Sequence, residues 1–147
     1  MKSAPLEAGG LRFSAGMLAL RDFIRRDELD EIMDGEARLN AETSGDLFPF
    51  LSPEWRVEIL VHTVHHPDLV RHFLGSPRRV HARTVKHPRF PKLASTRSSV
   101  ILDYDGTIRC CLSINHCQRY GLRHMGASVR IEGTEDCAVR SFRNRTL

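Results

Sequence analysis

The sequence lacks the long apolar stretches that mark membrane and secreted proteins. No apolar run approaches the ~20 residues that a membrane-spanning helix requires. The N-terminus, MKSAPLEAGGLRF, has no apolar segment of the kind that signal peptides carry. We therefore expect a cytoplasmic protein that makes no membrane contact.

Short nucleotide-binding and hydrolase motifs are also missing. There is no G-x-G-x-x-G after a strand, no P-loop, no G-x-S-x-G elbow and no H-E-x-x-H. Gly9-Gly10 lies in the first ten residues and matches none of them. We therefore expect no cofactor-binding segment within this chain.

Cysteines are few and unpaired in sequence. None of the four forms a C-x-x-C pair, and Cys110 and Cys111 are adjacent. On a strand, adjacent side chains point to opposite faces. This spacing in an intracellular chain favours reduced thiols that act as small apolar side chains.

Basic charge is concentrated in one half of the chain. Residues 1–77 hold 8 Lys+Arg and 13 Asp+Glu, whereas residues 78–147 hold 14 and 5. The arginines are spread singly, with few aromatic residues between them to stack on bases. We interpret them as solvated strand faces and loops and expect no nucleic-acid partner.

Periodicity in the N-terminal half predicts a helix and then a strand. Ser14 is a candidate N-cap for SAGMLALRDFIRR, in which Met17, Leu20 and Ile24 share one face. EIMDGEARLN is predicted to be a strand, weakened by Gly35. Turn-forming residues then predict a loop with buried aromatic residues over 41–56.

The segment LVHTVHHPDLVRHFLG, residues 60–75, is predicted to be a second helix. Pro67 removes a backbone donor, so the helix either begins near His66, with Pro67 in its first turn, or is kinked there. Gly75 is a natural C-terminal stop.

The remainder is rich in strand signals: RRVHARTV, SSVILDY, TIRCCLSINHC, ASVRIEG and CAVRSF. DYDGT predicts a hairpin, and a three-residue loop keeps Val100 and Leu102 on one face with Cys110 and Leu112. We expect these strands to form an antiparallel meander. The predicted fold class is α+β: an open, mainly antiparallel β-sheet with two or three helices packed on one face.

Three kinds of site are compatible with the residues alone. His62 shares a helical face with His65 or His66, and zinc would need a further ligand such as His116 or Cys117. Such pairs arise easily by chance, so we predict no metal site. His65 and Asp68 are spaced i, i+3, as in an acid/base pair, but on spacing alone a satisfied histidine at a helix terminus is the better explanation. Asn115-His116-Cys117 ends a strand, where sites are often found.

Four segments, taken in order, resemble a known family. LRFSAGMLALRDFI, VHTVHHPDLVRHFLGSPRRVHA, VILDYDGTIRCCLSINH and VRIEGTEDCAVR are similar to the C-terminal domain of the Gfo/Idh/MocA (glucose–fructose oxidoreductase / inositol dehydrogenase) family. The similarity covers roughly residues 11–142. In that family a Rossmann domain binds NAD(P), and the C-terminal domain supplies an open sheet, the substrate pocket and often the oligomer interface.

The resemblance implies roles for four residues. His65 matches the family's catalytic histidine and Asp68 the acid that follows it. Asn115 and His116 match a strand end that lines the pocket and are predicted to bind substrate. His62, His66 and His72 are interpreted as surface or supporting positions of the helix.

This sequence also departs from the family pattern. It has no Rossmann half, no Glu-Lys-Pro segment, and Val61 where many members have aspartate. Asp27, Asp30 and Asp136 stand where the family has glycines, which predicts strained turns. We expect a flexible leader over 1–10 and one such domain over 11–147, incomplete at its C-terminus.

These departures predict a detached substrate-binding and oligomerisation domain of a sugar or polyol dehydrogenase. It binds no cofactor alone, since the resemblance assigns NAD(P) to the full-length family, and is not expected to transfer hydride. A separate Rossmann-domain protein and a second copy, docked through the open sheet, are the expected partners. The alternative is a non-catalytic dimeric module that binds a sugar-like ligand or a protein.

Overall fold

The computed structural model describes residues 11–42, 64–89 and 95–142. In these ranges two α-helices and six strands follow a short 3₁₀ turn. Their bounds are α1 Ala15–Arg25, β1 Ile32–Asn40, α2 His65–Leu74, β2 Arg79–Lys86, β3 Ser95–Asp103, β4 Arg109–Asn115, β5 Gly126–Gly133 and β6 Cys137–Phe142. The leader, the predicted loop beyond residue 42, and His62 lie outside the described residues. No helix in the described ranges is both long and apolar enough to span a membrane.

The six strands form one sheet in the order β2-β3-β4-β1-β5-β6. β1 runs parallel to β4, and the other neighbours are antiparallel. The predicted fold class, an open and mainly antiparallel α+β sheet, is confirmed. The continuous meander is wrong, because β1 is inserted between β4 and β5. This insertion aligns Ala37 with Leu112 on one side and Val129 on the other, so three buried side chains share a row.

The hairpin between β3 and β4 has the predicted register. Leu102 pairs with Cys110 and Val100 with Leu112, which keeps their side chains on one face. The strands separate earlier than expected, however, and five residues from Tyr104 to Ile108 connect them. Tyr104 packs inward and donates from its hydroxyl to the Gly75 carbonyl at 3.2 Å.

Both predicted helices are present. α1 begins after Ser14, as the N-cap pattern predicts, although the Ser14 hydroxyl makes no capping hydrogen bond. Met17 and Leu20 of α1 are buried in the core. α2 begins at His65, so Pro67 falls in its first turn, where a missing N–H costs nothing.

The two faces of the sheet differ in composition. On the helix face, residues at alternate positions of the central strands are buried against α1 and α2: Ala37, Val100, Leu102, Cys110, Leu112, Val129 and Ile131. The opposite side, the open face, carries the intervening residues. Cys110 and Cys111 fall on opposite faces, as predicted. Burial raises the pKa of the Cys110 thiol to about 12.

Two of the three aspartates at family glycine positions adopt the left-handed backbone. Asp27 and Asp30 have φ of 61° and 57°, whereas Asp136 does not have a positive φ. The Thr134 hydroxyl donates to Asp30 Oδ2 at 2.6 Å and accepts from the Glu31 N–H. The first of these hydrogen bonds holds the pKa of Asp30 below its usual value.

Candidate functional site

A cavity of about 470 Å³ opens on the helix face, where the first turn of α2 crosses the ends of the strands. Its walls are mainly apolar and carry three imidazoles. The lining residues are Leu11, Leu39, His65, His66, His116, Ala127 and Phe142. Two histidines that the resemblance selects, His65 and His116, therefore meet in one cavity although they are far apart in sequence.

α2 fixes the position of His65. This histidine is the first residue of the helix and is half-buried. Leu69 and Val70, on the next turn, are fully buried and anchor α2 on the sheet. The apolar packing of the helix thus holds the His65 imidazole at the cavity wall.

Hydrogen bonds at the end of β4 fix the position of His116. The His116 N–H donates to the Thr96 carbonyl at 2.9 Å, and the Ala41 N–H donates to the Asn115 carbonyl at 2.8 Å. The thiol of Cys117 donates to the Thr96 hydroxyl at 3.0 Å. His116 is 5% exposed, so the strand end holds it as a buried wall of the cavity.

Asp68 lies on α2, one turn beyond His65, but outside the set of described residues that line the cavity. Its Oδ1 is 3.6 Å from Nη1 of Arg12, which belongs to the turn that precedes α1. This ion pair ties the chain ahead of α1 to α2 and helps to place Leu11 in the cavity wall. The predicted catalytic role of Asp68 stays a prediction.

Asn115 is positioned differently from His116. It pairs with Asn40 in β1 and Arg97 in β3, in the register of the open face. Its Oδ1 accepts a hydrogen bond from the Cys117 N–H at 2.9 Å, which closes the turn that carries His116. The Asn115 side chain therefore supports the backbone turn that carries His116. Its predicted contact with substrate stays a prediction.

Sequence reasoning missed most of the cavity wall. His66, interpreted as a surface or supporting position, is 6% exposed and lines the cavity, whereas His72 is half-buried with its ring tilted by 56° to that of Phe73. Leu39 could have been found, because alternation along β1 puts it on the same face as Ala37. No sequence signal points to Leu11 or Phe142.

Within the ranges that the structure describes, no group of three or more His, Cys, Asp or Glu side chains is arranged to hold a metal ion. The polar groups in the cavity are imidazoles, which lie beside apolar side chains. A neutral imidazole carries one donor and one acceptor nitrogen. A cavity of this size with apolar walls and a few polar groups is typical of small-molecule sites.

No protein-family model matches the chain, and no curated protein matches it in sequence. Solved structures do match it in fold. An oxidoreductase from Agrobacterium radiobacter, in complex with NAD+, L-tartaric acid and magnesium, is 18% identical with a TM-score of 0.78, over 89% of this chain and 39% of that one. The WlbA dehydrogenase from Bordetella pertussis, in complex with NADH and UDP-GlcNAcA, is 14% identical with a TM-score of 0.76, over 90% and 42%. A scyllo-inositol dehydrogenase from Lactobacillus casei, with bound NAD(H) and scyllo-inositol, is 14% identical with a TM-score of 0.71, over 88% and 39%.

These matches define the class of fold. The chain spans about 40% of the length of the solved dehydrogenases that it matches. The resemblance to the C-terminal domain of Gfo/Idh/MocA-type oxidoreductases is thus confirmed for the fold.

Proposed function

We propose that this chain is the substrate-binding part of a sugar or polyol dehydrogenase system and that His65 and His116 hold hydroxyl groups of the substrate. The observation that carries the proposal is their shared cavity. The fold supports it, because the solved dehydrogenases named above include complexes with an inositol and with a nucleotide sugar acid. We expect the chain to act in the cytoplasm, where its four thiols stay reduced.

The residues of this chain do not fit a dinucleotide. The sequence has no glycine-rich turn of the kind that binds a pyrophosphate at a helix N-terminus. In the part of the chain that the structure describes, β1 and β4 are the one parallel strand pair, and they lie within a mainly antiparallel sheet. We therefore assign polyol binding to this chain and NAD(P) binding to a separate Rossmann-domain partner.

Calorimetric titration with myo-inositol, scyllo-inositol and glucose tests the site. We expect saturable binding of at least one polyol and a roughly tenfold or greater loss in His65→Ala, since a buried polar contact is removed. His81→Ala is the matched control, because His81 is exposed on β2 and pairs with Ile101 on the open face. Equal affinity of the wild type and His65→Ala, or no binding of any of these polyols, would contradict the assignment.

We further propose that two copies associate through the open face. Ile101 and Val139 are 52% and 59% exposed there, and association would remove them from water. Ile101 and Val139 lie in one row across the strands. In the adjacent row of the open face, four residues alternate in charge: Arg79, Asp103, Arg109 and Asp34. A two-fold axis can bring such a row against its own copy with opposite charges facing.

Sedimentation velocity over a concentration series tests this association. Ile101→Asp should weaken the dimer by placing a charge in the contact. Val80→Asp is the matched control: Val80 is 58% exposed but pairs with Leu102 on the helix face. A monomer at every concentration, or equal effects of the two substitutions, would contradict the proposed interface.

A further inference from the structure

A second concavity, of about 680 Å³, lies at the margin of the sheet. It is lined by Arg38, Asn40, Gln118, Tyr120 and His124. Side chains alternate along a strand, so Arg38 and Asn40 of β1 point away from Ala37 and Leu39, which belong to the helix face. This concavity is therefore on the open face, across the sheet from the cavity that His65 lines.

The strand register places small hydroxyl groups around Arg38. Arg38 pairs with Ser113 in β4 and with Ser128 in β5. Continued to both edges, the same row runs through all six strands. This serine row consists of Arg83, Ser99, Ser113, Arg38, Ser128 and Ser141. Apart from Arg38 and Arg83 the row consists of serines and carries no acid, so it leaves the exposed Arg38 guanidinium beside a shallow polar floor. The proposed contact at Ile101 and Val139 lies in the row of Glu36, on one side of the serine row, and the concavity lies on the other side, towards Asn40.

Acidic residues near Arg38 in sequence are engaged with other arginines. Glu36, two positions earlier on the same face, lies 3.6 Å from Nε of Arg130, and Glu42 lies 3.7 Å from Nε of Arg119. Among the described residues, no carboxylate is within ion-pair distance of Arg38. His124 adds an imidazole to the lining. The described residues that line the concavity thus combine the Arg38 cation with two amides and the Tyr120 hydroxyl, and none of them is a carboxylate.

Two further residues shape the concavity for an organic ligand. Gln118 is 7% exposed, and its backbone N–H donates to the Ala41 carbonyl at 3.0 Å, which fixes the backbone that carries its side-chain amide. Tyr120 is 84% exposed and contributes a flat ring at the opening. The exposed face of an aromatic ring can stack on the carbon face of a sugar, while amides and a guanidinium bind the sugar oxygens.

We propose that this concavity binds a small oxyanion, a carboxylate or a phosphate, with the charge held by Arg38 and any attached sugar ring resting on Tyr120. Planar guanidinium groups bind both kinds of oxyanion through two parallel hydrogen bonds. The site is independent of the polyol cavity, because the sheet separates them and they have no lining residue in common.

The test is an amide-detected NMR titration of the whole chain with inorganic phosphate, glucuronate and glucose. Glucose matches glucuronate in ring and hydroxyl groups but lacks its carboxylate. Phosphate and glucuronate should give saturable shifts around Arg38, Gln118 and Tyr120, with dissociation constants on the order of 1 mM. A response to glucuronate alone assigns the site to a sugar acid, and a response to phosphate alone assigns it to phosphate.

Three substitutions sharpen the test. Arg38→Gln should weaken the binding of either anion by about tenfold or more. Arg83→Gln removes the same charge from the far end of the serine row, on the edge strand, and should leave binding unchanged. Tyr120→Ala should weaken glucuronate more than phosphate. Unaltered binding in Arg38→Gln, equal losses in both arginine variants, equal shifts from glucose and glucuronate, or no saturable shift would overturn the proposal.

Discussion

The two faces of the sheet differ in what the residues of one strand do: on the helix face they pack in the core, and on the open face they are exposed. On the helix face, Leu112 is 1% exposed and packs in a continuous apolar core. On the open face, its neighbour Ser113 is exposed and lies in a row of serines and arginines. One step along β4 thus separates a position that stabilises the fold from a position that is available for binding.

This contrast explains where a site can arise on a flat sheet. Among the described residues, the cavity of the helix face lies where α2 and the strand ends leave a gap beside His65. The concavity of the open face lies beside Arg38, also towards the strand ends. The middle of the helix face is filled by core packing. The two proposed ligand sites thus lie at strand ends, one on each face.

The largest expected effect compares adjacent residues of β4. Leu112→Ala should cost roughly 2–5 kcal/mol in the free energy of unfolding, since it leaves a cavity in the core. Ser113→Ala should change it by less than about 0.5 kcal/mol, as an exposed position away from special contacts. Urea denaturation measures both. Similar values for the two variants would remove the distinction between the faces.

The next effect concerns backbone approach at Gly133, at the end of β5. A Cβ atom added there would overlap the carbonyl oxygen of Leu29, which is main chain and cannot rotate away. Gly133→Ala should therefore cost roughly 3 kcal/mol. In Gly35→Ala the nearest atom would be Leu74 Cδ1 at 2.9 Å, and this side-chain end can move.

We expect Gly35→Ala to cost only about 1 kcal/mol, from limited repacking. Thermal unfolding of the two alanine variants gives the comparison. A smaller loss in Gly133→Ala than in Gly35→Ala would show that the chain near Leu29 is not held as the structure has it.

Cysteine reactivity should distinguish the faces without any substitution. Cys110 is buried on the helix face with its pKa raised to about 12, first by burial and then by Cys111 and Asp34. Its thiol stays protonated at pH 8 and should react with iodoacetamide only after unfolding. Cys137 is exposed on β6 and should react first. Peptide mass spectrometry after timed labelling follows each site, and early labelling of Cys110 would contradict its burial.

The smallest effect is electrostatic and lies in the turn between α1 and β1. The Thr134 hydroxyl lowers the pKa of Asp30, so the ionised carboxylate is favoured in the folded protein. A carboxyl group whose pKa is lowered in the folded state stabilises the protein at pH values above its ordinary pKa of 3.8. This contribution is lost as the pH falls through the lower pKa of the folded state.

Thr134→Val should raise the Asp30 pKa toward its ordinary value and reduce this contribution. Thr134→Ser, which keeps the hydroxyl, should preserve it. NMR titration of the Asp30 carboxyl measures the shift directly. An unchanged pKa in Thr134→Val would show that the hydrogen bond is not its cause.

Periodicity in the sequence predicted the helices and strands better than it predicted which strands lie beside each other. Alternation along SSVILDY and TIRCCLSINHC determines which residues face the core, and keeping Val100 with Leu112 predicts the hairpin register. The same alternation leaves open which strand lies beside which. The insertion of β1 between β4 and β5 depends on a long-range pairing that buries Ala37 between two apolar neighbours.

The candidate site was predictable only in part. His65 and His116 were selected by resemblance, and the structure brings them into one cavity, because α2 packs against β1, the neighbour of β4 in the sheet. The burial of His66 was missed, since helical spacing alone does not show which side meets the sheet. The serine row was invisible in sequence, because its members come from six strands and meet only through their registers.

The proposed function separates a polyol site on this chain from a cofactor site on a partner. Calorimetric titration of the purified chain with NADH and with NADPH tests this separation. We expect no saturable heat with either dinucleotide under conditions in which a polyol binds. Micromolar binding of NADH or NADPH, with or without a polyol, would contradict it and place a cofactor site within this chain.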